Sequence, residues 1–198
     1  MWALETAPCA ATLRELDLSC YGDWDEANLA ALGGLMGAGG LPALEVLTVD
    51  SAIFDAELIA AFLEALGPPS PLGSAAPAPV ALKVLHVNTP LRDGAAGMGA
   101  VAAAIERGAL GSRLEELGLY FRVEDEGLTA LTRVLRGGGR CHLAQLRSLS
   151  VNAYGGVSDA VADEFSAVAA ASCPKLVRVT LRASLGESRG PESLMNTW

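Results

Sequence analysis

A right-handed α/β horseshoe, with six short parallel strands on its concave side and helices on its convex side, is the fold this sequence predicts. Three observations carry it. The pattern L-x-x-[LV]-x-[LV] occurs six times, opening at Leu13, Leu44, Leu82, Leu114, Leu146 and Leu176, with Val179 in the second slot of the last copy. The steps between openings are 31, 38, 32, 32 and 30, a fixed period of the length that marks stacked supersecondary units. Between copies, apolar residues recur at helical rather than strand spacing. Neither a strand nor a helix of this length buries its apolar face alone, but stacked units bury both. Helices are bulkier than strands, so the stack must curve with the strands inside.

Each copy of the pattern alternates in and out as a short strand does. In the first unit, Asp25 supplies the acceptor a helix N-terminus needs, Leu29, Leu32 and Met36 follow at helical spacing, and Gly37 closes it. The second unit repeats this with Asp55, then Leu58, Phe62 and Leu66, then Gly67. Its extra length lies in residues 67–79, GPPSPLGSAAPAP, where proline and glycine are too dense to continue a helix or join a ladder. The third unit runs from Asp93 through Met98, Val101 and Ile105 to Gly108, and the fourth from Asp125 through Leu128, Leu131 and Leu135 to Gly137. The fifth opens on Ser158 and Asp159, continues with Val161, Phe165 and Val168, and closes at Pro174. The sixth is a strand followed by a polar tail, residues 185–198. All of it, residues 1–198, reads as one repeat domain.

The chain carries a net charge of −9, which argues against a nucleic-acid-binding surface and against an anionic membrane. No apolar run is long enough to span a bilayer, and the start, MWALETAPCAAT, lacks the basic region of a secretory signal. The four cysteines, Cys9, Cys20, Cys141 and Cys173, are scattered without CxxC spacing. They read as small core residues in a reducing, cytoplasmic or nuclear setting, not as the disulfides of a secreted chain.

LEELGLYFRVEDEGLTALTRVL, residues 114–135, and LRELDLSCYGDWDEANLAALGGL, residues 13–35, resemble leucine-rich repeats of the ribonuclease-inhibitor-like subtype. CPKLVRVTL, residues 173–181, is similar to the opening of the cysteine-containing repeats. The resemblance covers roughly residues 10–184 and implies the horseshoe solenoid and a binding role. The family usually places Asn or Cys three residues after the last strand leucine. Here those positions hold Tyr21, Ala52, Pro90, Arg122, Tyr154 and Ser184, so the turns are expected to be looser or held by backbone groups.

The strand alternation assigns three rows of side chains to the concave face. The first is Glu15, Val46, Val84, Glu116, Ser148 and Arg178. The second is Asp17, Thr48, His86, Gly118, Ser150 and Thr180, and the third is Ser19, Asp50, Asn88, Tyr120, Asn152 and Arg182. A solvated polar face and a recognition surface both account for this mixture. If the face binds, Asp17, Asp50, His86, Asn88, Glu116, Tyr120, Asn152, Arg178 and Arg182 are the candidate contacts, with Tyr120 the anchor.

Catalytic, cofactor and metal sites are not expected. His86 lies one strand away from Asp50, within reach at the roughly 4.8 Å separation of paired strands. A dyad there would still need a nucleophile and a closed pocket, which an open sheet does not offer. Cys141 and His142 are adjacent and have no further ligands at metal spacing. GMGAVA, residues 97–102, imitates a dinucleotide-binding glycine motif but sits too far from its strand to bring a helix N-terminus to a pyrophosphate. Small residues that let a helix pack closely explain it better.

Repeat arrays need covered ends. Trp2 and Leu4 are candidates to cover the first unit, whereas nothing in the tail has the pattern to cover the last. A slice of a longer protein and a pairing edge both fit. The expected function is a non-enzymatic protein–protein interaction scaffold, without cofactors, that binds a protein partner on its concave face. The alternative is a regulatory or substrate-recognition module, of the GTPase-regulating or ubiquitin-ligase adaptor kind, within a larger protein.

Overall fold

The computed structural model of the chain describes residues 7–19, 25–50, 56–66, 81–88, 94–110, 112–137, 142–153 and 156–183. The six copies of the pattern form six strands: β1 (Glu15–Asp17), β2 (Val46–Asp50), β3 (Val84–Asn88), β4 (Glu116–Phe121), β5 (Ser148–Ala153) and β6 (Arg178–Ala183). Helices follow the first five: α1 (Glu26–Gly37), α2 (Ala56–Ala65), α3 (Gly94–Glu106), α4 (Asp125–Arg136) and α5 (Asp159–Ser172). The strands make one sheet, every pairing parallel, in the order of the chain from β1 to β6.

Every strand begins two residues after its opening leucine, and the backbone shows why. The carbonyl of the residue after each leucine accepts two amides from the next copy. Arg14 O takes Glu45 N and Val46 N at 2.8 and 3.0 Å, and Glu45 O takes Lys83 N and Val84 N at the same distances. Lys83 O, Glu115 O and Arg147 O repeat the arrangement toward β4, β5 and β6. One shared acceptor per copy fixes the register, and the leucines then point to one side.

That side is the core. Leu47, Leu85, Leu117 and Leu149 are buried from the strands, Leu44, Leu82, Leu114 and Leu146 from the turns before them. Each helix packs on the next, so the five form a single layer against this face. Leu29, Leu32, Met36, Phe62, Leu66, Met98, Val101, Ile105, Leu128, Leu131, Leu135 and Phe165 are buried there, as the helical spacing predicts. Burial of each such side chain contributes about 1.5–3 kcal/mol. Two helices are rotated slightly from expectation. In α2 the buried stripe is Ile59, Phe62, Leu63 and Leu66 while Leu58 is half-buried, and in α5 Val161 and Val168 stay half-exposed beside Phe165 and Ala169.

Asp25 caps α1, its carboxylate accepting Asn28 N at 2.7 Å. Asp125 does something else. It is the first residue of α4, behind Glu124 at the cap position, and its carboxylate accepts Ser158 N at 2.7 Å at the start of the next helix. The side chain thus ties two successive units instead of capping its own helix. Gly108 follows α3 with φ +72°, a left-handed turn open to glycine. After α1 the left-handed residue is Gly39, φ +77°, because Gly37 is still helical. Gly137 caps α4 with a right-handed φ of −62°.

Residues 97–102 lie inside α3, three residues past its first turn's start, which removes them from any helix N-terminus. Gly97 is buried, but Gly99 faces open space, so close packing accounts for only part of the stretch. The tightest approach belongs to Gly94, where a Cβ would lie 1.2 Å from Arg122 O in the turn after β4. In that turn Val123 is buried and Arg122 Nε meets Glu124 Oε1 at 3.3 Å, so side-chain packing and an ion pair hold it.

Cys173 is a core residue, but Cys9 is exposed, contrary to the expectation for all four. The hydrogen-bonded turns around Cys9 show its side chain to solvent and turn Ala10 inward. Cys20, Cys141, Asp55, Asp93, Trp2, Leu4, the insertion at 67–79 and the tail at 185–198 lie outside the described residues, as do Tyr21, Ala52, Pro90, Tyr154 and Ser184. Among the described residues, no helix is long and apolar enough to cross a membrane.

Candidate functional site

Alternation along each strand leaves one side chain in two on the face turned away from the helices. The register sets these side by side in the three rows the sequence predicts. Glu15, Val46, Val84, Glu116, Ser148 and Arg178 are successive partners across the sheet, as are Asp17, Thr48, His86, Gly118, Ser150 and Thr180. Asp50, Asn88, Tyr120, Asn152 and Arg182 make the third row; Ser19 lies past the end of β1. All nine candidate contacts are therefore on this face.

They do not act alone. Asn88 Nδ2 donates to Asp50 Oδ2 at 3.1 Å, joining neighbours of the third row. His86 Nε2 lies 3.0 Å from Glu116 Oε1, so its acidic partner is Glu116 and not Asp50. Gly118 decides this. It is the register partner of His86, and lacking a side chain it lets the imidazole lean across β4. A Cβ at Gly118 would stand 2.7 Å from Tyr120 Cε2 and 2.8 Å from His86 Cδ2. The two rings meet edge to face over it, centroids 5.9 Å apart at 82°. His86, Glu116 and Tyr120 form a half-buried cluster at the middle of the sheet, beside the half-exposed Val46 and Val84.

Toward β1 the face is acidic. The Asp17 carboxylate accepts the Ser19 hydroxyl and the Ser19 backbone N–H, the latter at 2.8 Å, and these bonds hold its pKa below the usual carboxylate range. Toward β6 the sign changes, with Arg178 and Arg182 both exposed. Asn152 is half-buried on β5 beside Arg182.

A fourth row was legible in the sequence but is not among the predicted contacts. The residue after each opening leucine reads Arg14, Glu45, Lys83, Glu115, Arg147, Val177, alternating in sign until the last. Lys83 Nζ reaches Glu45 Oε1 at 3.0 Å and Arg147 Nε reaches Glu115 Oε2 at 3.7 Å. The Lys83 bond leads the causes that hold Glu45 below the usual carboxylate pKa; burial opposes it, and the charges of Lys83, Arg14 and Arg113 add lesser lowering effects. The series ends at Val177, 68% exposed.

His142, the second histidine, packs near Gly108, where a Cβ would come within 3.0 Å of its ring. Among the described residues no three His, Cys, Asp or Glu side chains converge as a metal set. Comparison with known protein families finds no family that matches the chain, and comparison with curated proteins finds no match either.

Proposed function

We propose that the chain is a leucine-rich-repeat solenoid of the ribonuclease-inhibitor-like kind, curved with its strands on the concave side, and that it is a non-enzymatic scaffold binding a protein partner on that face. One observation carries the reading: three ladders of non-core side chains, two in register across six strands and the third across five, stand on a continuous surface opposite the helix layer. The leucines that repeat are used up in packing. The positions that vary, charged at both ends and partly apolar in the middle, are the ones turned outward. Such a surface suits many modest contacts over a large area, with a half-buried aromatic at its centre as the anchor. Tyr120 has that place. An open row of side chains gives a reacting group no enclosure, which favours binding over catalysis.

The test is affinity capture with the full chain, followed by the same capture with Tyr120→Ala combined with Asp50→Lys. Specific partners should be lost from the double variant while its thermal unfolding stays close to that of the parent. Retention of every partner at parental strength removes the support for the face.

A further inference from the structure

We propose that the β5–β6 end of the outward face docks an extended acidic segment of a protein partner, with Arg178 and Arg182 taking its carboxylates. The inference rests on the reading of this face as a binding surface and adds the partner's chemistry to it. The chain as a whole is acidic, at −9, yet this corner has the opposite character. The register sets Arg178, Thr180 and Arg182 beside Ser148, Ser150 and Asn152. Among these six there are two cations, three hydroxyls and one amide, with no carboxylate.

The two arginines differ from the others that the structure ties to acids. Arg122, Arg136 and Arg147 each lie within ion-pair distance of a glutamate, Glu124, Glu164 and Glu115. Among the described residues no acid stands at that distance from Arg178 or Arg182, and both are exposed. The planar guanidinium fork fits a carboxylate with two parallel hydrogen bonds. Four residues of strand separate the two side chains, about 13 Å. A segment running alongside β6 in extended conformation repeats that distance every four residues, so glutamates or aspartates so spaced meet both forks. Ser150 and Thr180, between them, offer hydroxyls to its backbone. Its selectivity would be for the sign of the charge, because the opposite end of the face, with Glu15, Asp17 and Asp50, repels the same segment.

The experiment uses the full chain, isotopically labelled, and a short synthetic peptide with two glutamates four residues apart between threonines and valines. Its amide spectrum should show saturable shifts at Arg178, Thr180, Arg182 and Ser150, with none in β1 and β2. A peptide with glutamine in place of glutamate should bind about tenfold more weakly or worse, about 1.4 kcal/mol. Arg178→Glu with Arg182→Glu should abolish the shifts, and Arg178→Gln with Arg182→Gln should reduce them, both without loss of the fold because the positions are exposed. Absence of shifts at millimolar peptide, shifts scattered over the surface, or equal shifts from the glutamine peptide overturns the proposal. So does saturation by a phosphoserine peptide alone, or self-association of the chain that the charge reversal removes. A natural partner lost on Tyr120→Ala with Asp50→Lys but retained on charge reversal of the arginines leaves the binding face standing and this inference wrong.

Discussion

Gly118 shapes the centre of the outward face by having no side chain. The rings of His86 and Tyr120 occupy the space a Cβ would take, and the His86–Glu116 contact follows from that lean. Gly118→Ala should push both rings aside. Because the atoms in the way are the ends of movable side chains, the cost should be small, about 1 kcal/mol. The His86 ring resonances should shift while the core spectrum stays unchanged; unchanged His86 resonances would contradict the arrangement. Asp17 and Glu45 give a second prediction at this scale. Both carboxyls are held below their usual pKa range, Asp17 by Ser19 and Glu45 chiefly by Lys83. A group whose folded pKa is lowered adds stability that is full above the unfolded value and is lost as pH falls through the folded one. Replacing Glu45 with Gln should therefore lower the urea midpoint slightly at neutral pH, with the difference vanishing in acid; a difference that grows in acid contradicts the pairing.

Among the elements, the helix starts are less uniform than their sequences. Asp25 stands twelve residues after its opening leucine and Asp125 eleven, and that one-residue offset separates a cap on its own helix from a side chain that reaches the next unit's backbone. Asp25→Ala should cost about 1 kcal/mol as a lost cap. Asp125→Ala should cost a similar amount but act at a different place, loosening the start of α5, which amide exchange at Ser158 would report. Gly94 is the sharper test of close packing. Its missing Cβ would overlap a backbone carbonyl, Arg122 O, which cannot move as a side-chain tip can. Gly94→Ala should cost about 3 kcal/mol and lower the melting temperature by several degrees. A neutral result would mean that α3 and the turn after β4 are not in contact.

At the scale of the whole molecule, stability should follow position in the stack. β3 is paired on both sides over five residues, and β4 over five with β3 and six with β5, whereas β1 pairs with β2 over only three residues and β6 is paired with β5 alone. Each unit of such an array is held by its neighbours. Leu117→Ala, in the middle, should cost about 2–5 kcal/mol by leaving a cavity in a fully enclosed site. Val179, on β6, is less enclosed at 8% exposure, and Val179→Ala should cost less. Amide exchange should rank the strands the same way, slowest in β3 and β4 and fastest in β1 and β6. Uniform protection across the sheet would argue against a linear stack.

What could be read from the residues alone was what repeats. A leucine in the same place six times, a two-residue alternation after it and helical spacing beyond settle strand order, register and the outward rows, because each unit meets only its neighbours and the pattern carries the geometry. What only the tertiary structure decided is which outward side chains meet. Row and strand place Asp50 and Glu116 almost equally near His86. The choice fell to Glu116 because Gly118 opens space on the β4 side, while Asn88, in register with Asp50, engages that carboxylate. The same holds for Asp125, whose partner lies 33 residues away in the chain and adjacent in space. Periodicity fixes backbone neighbours, but the direction a polar side chain takes depends on the volume left by the residue beside it.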